Sequence, residues 1–135
     1  MAATKIDHVA VAVSDLDAAI ATYRQLLGKE PDGIEDVASQ KVRVAFFRVG
    51  ESRIELVCPT SDDSPVAKAI AKRGEGLHHI CLGVPATDDE VRRLEEGGAT
   101  IAVRPTEGAG GCRVAFVHPK SAGGVLVELS SGGTH

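Results

Sequence analysis

At 135 residues and 43% apolar side chains, the chain has room for one ordinary domain with a sizeable core. Its net charge of −4, without any long Lys/Arg run, argues against nucleic acid as a partner, and the aromatic supply (Tyr23, Phe46, Phe47, Phe116) is too small for stacking bases or gripping sugars. No apolar run approaches the roughly 18 residues that cross a bilayer, and the opening Met1-Ala2-Ala3-Thr4-Lys5 lacks a signal core, so no membrane partner and a cytoplasmic location are expected.

Residues 6–13 are rich in β-branched side chains and read as a mostly buried strand. Ser14-Asp15-Leu16-Asp17 follows as a capping box, with Ser14 at the N-cap and Asp17 reaching back. Leu16, Ala19, Ile20, Tyr23 and Leu27 mark one helical face, and Gly28 ends the helix. Strand-like stretches come next near 34–37, 42–49 and 52–57. The join, 59–75, holds a short helix that opens at Ser64-Pro65, where proline fits the first turn.

A second pass of the same order begins at 77–84, which reads as a strand. Thr87 is expected to cap a helix bearing Val91 and Leu94, and Gly97-Gly98 stops it. Strands are expected near 99–103, 113–117 and 125–129. Cys58, Cys81 and Cys112 are odd in number and lie in apolar strand-like surroundings, which reads as reduced core thiols.

The chain therefore repeats itself, over 5–58 and again over 76–131, within a single domain spanning 1–135. Ile6-Asp7-His8-Val9 returns as Leu77-His78-His79-Ile80, Val42-Arg43-Val44-Ala45-Phe46 as Cys112-Arg113-Val114-Ala115-Phe116, and Arg53-Ile54-Glu55-Leu56 as Leu126-Val127-Glu128-Leu129. Each half offers one histidine, His8 or His79, and one strand glutamate, Glu55 or Glu128. Taken singly, a histidine in a buried strand is more often structural, and a strand glutamate usually sits at a wetted edge. Two pairs in register change that reading, because a carboxylate in a buried strand is costly unless it is paired or bound to metal.

Two imidazoles and two carboxylates suit Co²⁺, Mn²⁺, Zn²⁺, Ni²⁺ or Fe²⁺ better than Ca²⁺, with Co²⁺ placed first, and would leave the site formally neutral. Alternation puts His8 on the face opposite Asp7, and His79 opposite His78. His78 reads as structural or as a support to a ligand, and the terminal His135 as without a role. Arg43 and Arg113 are expected to pair with acidic neighbours. Lys120 and Ser121 lie in a loop with three more residues than its counterpart, which makes them candidates for holding a substrate carboxylate. Gly110 and Gly111, within Gly108-Ala109-Gly110-Gly111, offer either a close backbone approach to a ligand or only a hairpin.

These blocks together resemble the vicinal oxygen chelate superfamily, and within it the methylmalonyl-CoA epimerases. The segments that carry the likeness are Ile6-Asp7-His8-Val9, Ser64-Pro65-Val66-Ala67-Lys68, Gly74-Glu75-Gly76-Leu77-His78-His79 and His118-Pro119-Lys120-Ser121. The resemblance implies an α+β fold of the glyoxalase/bleomycin resistance/dioxygenase type, in which two tandem βαβββ modules form a cupped mixed sheet around a metal. It implies His8, Glu55, His79 and Glu128 as metal ligands, an acyl-CoA substrate and a homodimer.

The activity implied is interconversion of the (2R) and (2S) epimers of methylmalonyl-CoA through an enolate, with Glu128 as ligand and C2 base. The glutamate that some relatives use opposite that base would fall at Val44, which carries no proton. Glu35, Glu107, His118 or a metal-held water are the alternatives. A glyoxalase that isomerises a glutathione hemithioacetal would use the same ligands, though the Gly-Glu-Gly-Leu-His-His and His-Pro-Lys-Ser blocks favour the epimerase. An extradiol dioxygenase needs one ligand fewer. A metal-free binding protein of this fold would want an aromatic-lined groove that this chain cannot supply.

Overall fold

The structure is a computed structural model that describes residues 3–133, so Met1, Ala2, Thr134 and His135 lie outside it. The elements run β1 (Lys5–Ala12), α1 (Leu16–Leu27), β2 (Gly33–Val37), β3 (Val42–Val49), β4 (Ser52–Pro59), α2 (Pro65–Arg73), β5 (Gly76–Gly83), α3 (Thr87–Glu96), β6 (Ile101–Glu107), β7 (Arg113–Val117) and β8 (Val127–Ser131). The order of strand, helix and three strands occurs twice, giving the expected α+β architecture. No helix among the described residues is long and apolar enough to cross a membrane. By contacts the chain divides into two compact units. One takes the chain up to His8 and again from His79, and the other takes Val9–His78.

In the Val9–His78 unit the strands lie in the order β2-β3-β4-β1. The β3–β4 hairpin turns at Gly50, whose φ of 62° suits a residue without a Cβ. Alternation sorts β3 and β4 into two faces. Ala45, Phe47 and Leu56 bury themselves with Val13 and Ile20, and the apolar face of α1 (Leu16, Ala19, Tyr23, Leu27) packs on them. The other face carries Val44, Phe46 and Glu55; Phe46 and Glu55 are cross-strand partners.

In the second unit the order is β1-β5-β8-β7-β6. β5 and β8 are parallel, with Cys81 opposite Glu128, and β8 pairs antiparallel with β7, with Phe116 opposite Glu128. Val84, Val91, Ala115, Val117 and Leu129 form the core beneath α3. The β6–β7 ladder shifts register between Val103 and Thr106, around Pro105, which has no N–H to contribute.

Two of the three expected helix starts are corrected. Asp15, not Ser14, caps α1, accepting the Ala18 N–H at 3.1 Å, while the Ser14 N–H donates to Glu75 Oε1 at 2.6 Å. Asp15 has the extended backbone that lets its carboxylate fold back over the first turn. Thr87 lies inside α3. Its hydroxyl donates to the Arg113 carbonyl at 2.6 Å, and its N–H is satisfied by Ser131 Oγ at 3.1 Å, so a strand side chain does the work of a cap. Ser64 does cap α2, accepting from the Val66 N–H at 3.2 Å. β8 starts at Val127 rather than near 125, because the Val125 N–H is held in a turn by the Ala122 carbonyl.

Phe47 is fully buried, so Phe47→Ala is expected to destabilise the protein by about 3–5 kcal/mol. Ile34→Ala, at a side chain 48% exposed, should stay within about 0.5 kcal/mol. Urea unfolding of the two variants checks the contrast.

Candidate metal centre

Three strands deliver the cluster. His8 leaves β1, His79 leaves β5, and Glu128 leaves β8 on the face away from the Leu129 core. All three belong to the same unit, and each is less than a tenth exposed. Glu128 Oε1 lies 2.9 Å from His79 Nε2 and 3.1 Å from His8 Nε2, and the two imidazole nitrogens are 3.3 Å apart. These residues form a group able to hold a metal ion. Donors bound to one transition ion at about 2.1 Å in octahedral or tetrahedral geometry stand roughly 3.0–3.4 Å apart. The three observed spacings fit that requirement without rearrangement of the strands.

Electrostatics point the same way. Burial pushes the Glu128 carboxyl up, but hydrogen bonds and charge interactions with His79 and His8 outweigh it and bring its pKa from 4.5 to about 2. A buried carboxylate is thereby kept ionised by two imidazoles that also aim at it. The Phe116 ring meets the His79 ring edge to face at 5.2 Å and closes the apolar side of the cluster. On the other side, Asp7 Oδ2 lies 2.7 Å from His8 Nδ1.

Glu55, the fourth expected ligand, belongs to the other unit. It is 4% exposed on β4, and Arg53, 3% exposed and two residues earlier on the same face, donates Nη2–H to its Oε2 at 2.8 Å. The Arg53 guanidinium lies 5.8 Å from the Phe46 ring centre, and that ring passes over Gly33, where a Cβ would come within 2.6 Å of it. Val44 is buried. Glu35 is its direct partner across the β2–β3 ladder and so shares its face.

The substrate candidates stand at the connections around β7. Gly110 and Gly111 form part of a 3-10 turn, with φ of 68° and 75°. Lys120 is exposed at its side chain, and its N–H donates to His118 Nδ1 at 3.0 Å. Ser121 Oγ accepts the Thr100 N–H at 2.9 Å, which gives this hydroxyl a part in shaping the loop. Arg113 pairs with Asp88 at 2.9 Å and Arg43 with Asp36 at 3.8 Å, as expected of strand arginines beside acidic neighbours. The three cysteines are unbridged.

Sequence reasoning missed three participants. Arg53 was recoverable, since its i, i+2 spacing to Glu55 places both on one face. Phe116 needed the β7–β8 register. Asp7 was hidden by the alternation rule itself, which sends adjacent Cβ atoms to opposite faces but does not prevent a carboxylate from reaching its neighbour's ring.

The sign of the Glu128 shift sets a pH window. In chelator-treated protein, the stability advantage of the wild type over Glu128→Gln should be full above pH 4.5, decline as pH falls, and be gone near about 2. Urea unfolding at stepped pH measures it.

Residues 7–116 match the glyoxalase/bleomycin resistance protein/dioxygenase superfamily. The chain is 41% identical over 128 residues to the ethylmalonyl-CoA/methylmalonyl-CoA epimerase of Cereibacter sphaeroides, covering 93% of this chain and 96% of that protein. It is 39% identical over 127 residues to the mitochondrial methylmalonyl-CoA epimerase of Bos taurus, covering 93% of this chain and 73% of that one. A variant of the Streptomyces coelicolor methylmalonyl-CoA epimerase, solved in complex with 2-nitronate-propionyl-CoA, has a TM-score of 0.92 at 37% identity over 97% of this chain and 96% of that chain. By sequence and by fold, this chain belongs to the glyoxalase/bleomycin resistance protein/dioxygenase superfamily and, within it, to the methylmalonyl-CoA epimerase family.

Proposed function

We propose that this protein is a divalent-metal-dependent epimerase that interconverts the (2R) and (2S) forms of methylmalonyl-CoA. The observation that carries the reading is the buried triangle of His8 Nε2, His79 Nε2 and Glu128 Oε1, with edges of 2.9 to 3.3 Å. It is supported by the acyl-CoA chemistry named for relatives at about 40% identity. These three side chains hold the metal, with Co²⁺ placed first among the borderline ions. Glu55 is the repeat counterpart of Glu128 and belongs to the other unit, where Arg53 holds it. What such an ion supplies, when bound, is Lewis-acid withdrawal of charge from the substrate's acyl oxygens.

The C2 hydrogen of the substrate lies between a thioester and a carboxylate, and its removal leaves a planar enolate. Glu128 is the base. One of its oxygens faces both imidazoles, which leaves the other for the C2 proton. Its lowered pKa makes it a weak base in the metal-free protein, so the acidity of C2 has to be raised by the site rather than matched by the carboxylate. Inversion then requires proton delivery from the opposite face. Glu107 and His118, which share a unit with Glu128, or a metal-held water are the candidate carriers. Lys120, Ser121 and the backbone at Gly110 and Gly111 hold the substrate.

The reading includes a cytoplasmic enzyme, in keeping with three unbridged thiols. It also includes a homodimer: β2 and β6 are the end strands of their units, and an unpaired strand edge is suited to cover by a second copy. Sedimentation measures the latter.

The test is C2 proton exchange and epimerisation of methylmalonyl-CoA in heavy water. Chelator should abolish both and added Co²⁺ should restore both; unchanged turnover in metal-free protein would reject the reading. Glu128→Gln is expected to lower kcat by roughly 10²–10⁴-fold.

A further inference from the structure

We infer that Asp7 is a positioning residue: its carboxylate holds the Nδ1–H of His8, so that His8 presents Nε2 as the donor toward the cation site it forms with His79 and Glu128. The inference rests on the metal-site reading above and deepens it. Asp7 Oδ2 stands 2.7 Å from His8 Nδ1, and the two residues are 7% and 4% exposed. A proton on Nδ1 donated to the carboxylate requires that Nε2 carry the lone pair whenever His8 is neutral. Nε2 is also the nitrogen within 3.3 Å of both other donors.

The burial of Asp7 has no comparable explanation in its ion pair with Lys5. That pair is 3.7 Å long, and the Lys5 side chain is 41% exposed, so solvent screens it. Carboxylates that accept the second N–H of a metal-binding histidine fix the ring orientation and strengthen the donor. The arrangement is also asymmetric. In the second copy the position equivalent to Asp7 is His78, and the His79 ring meets the Phe116 ring edge to face.

A rival use of the same atoms exists, because Asp7, His8 and Cys81 also have donor atoms within 4.8 Å of one another. A metal there would take one His8 nitrogen and the Cys81 thiolate, so the two arrangements differ spectroscopically.

The experiment titrates Co²⁺ into metal-free wild type, Asp7→Ala and Asp7→Asn, followed by the visible absorption of the ion. In parallel, ¹⁵N-histidine NMR of the Zn²⁺-loaded protein reads which His8 nitrogen keeps its proton, assigned with His8→Gln. Asp7→Ala should weaken Co²⁺ binding about 10–100-fold. Asp7→Asn, which keeps an acceptor oxygen, should recover most of that loss. Wild-type His8 should show a slowly exchanging Nδ1–H that Asp7→Ala loses; urea unfolding confirms that each variant is folded.

Wild-type affinity in a folded Asp7→Ala, or metal on Nδ1, overturns the assignment, as does a thiolate charge-transfer band on Co²⁺ loading. A wild type that binds Co²⁺ with the expected pattern yet leaves methylmalonyl-CoA unchanged rejects the epimerase reading and leaves the role of Asp7 in place. A wild type that binds no metal overturns both.

Discussion

The cluster depends on one constraint: a buried carboxylate, Glu128, has to remain charged. Desolvation opposes this strongly, and two imidazoles within 3.1 Å reverse the balance. Three strands must present their side chains to a single point for that to happen. The parallel β5–β8 pairing sets Glu128 opposite Cys81 and so on the face of His79, two residues before Cys81. Leu129, one residue on, is thereby directed into the core beneath α3. A slip of one residue in β8 would exchange the carboxylate for a leucine and empty the core at the same stroke.

Residues in equivalent places of the repeat do not have equivalent surroundings. Glu128 is held by imidazoles, whereas Glu55 is held by the Arg53 guanidinium. The counterpart of Arg53 in the second copy is Leu126, which cannot act on a carboxylate. Asp7 and His78 differ in the same way. Each half therefore carries the same imidazole and carboxylate beside a different neighbour. Such neighbours affect the strength and direction of a donor rather than its identity.

Fold and activity are separate inferences here. The superfamily's architecture supports several chemistries, and shared ligands alone do not choose among them. In this chain His8, His79 and Glu128 form a nearly dry cluster against Phe116, in a protein otherwise poor in aromatic side chains. Exclusion of water strengthens each charge interaction made inside such a site.

The linear order of residues determined the elements, because the periods of 2 and 3.6 are properties of the chain itself. The copied His and Glu likewise stood out without any coordinates, since repetition at matching strand positions marks them. Helix caps were read less well. At α1 the choice between Ser14 and Asp15 turned on one residue's backbone dihedrals, and at α3 the cap came from Ser131, more than forty residues away. Only the tertiary structure decided that His8, His79 and Glu128 meet at one point and that Asp7 turns back to its neighbour. The physical reason is that register and side-chain rotamer, which no local pattern encodes, set distances of 2.7 to 3.3 Å between groups far apart in the chain or nominally on opposite faces.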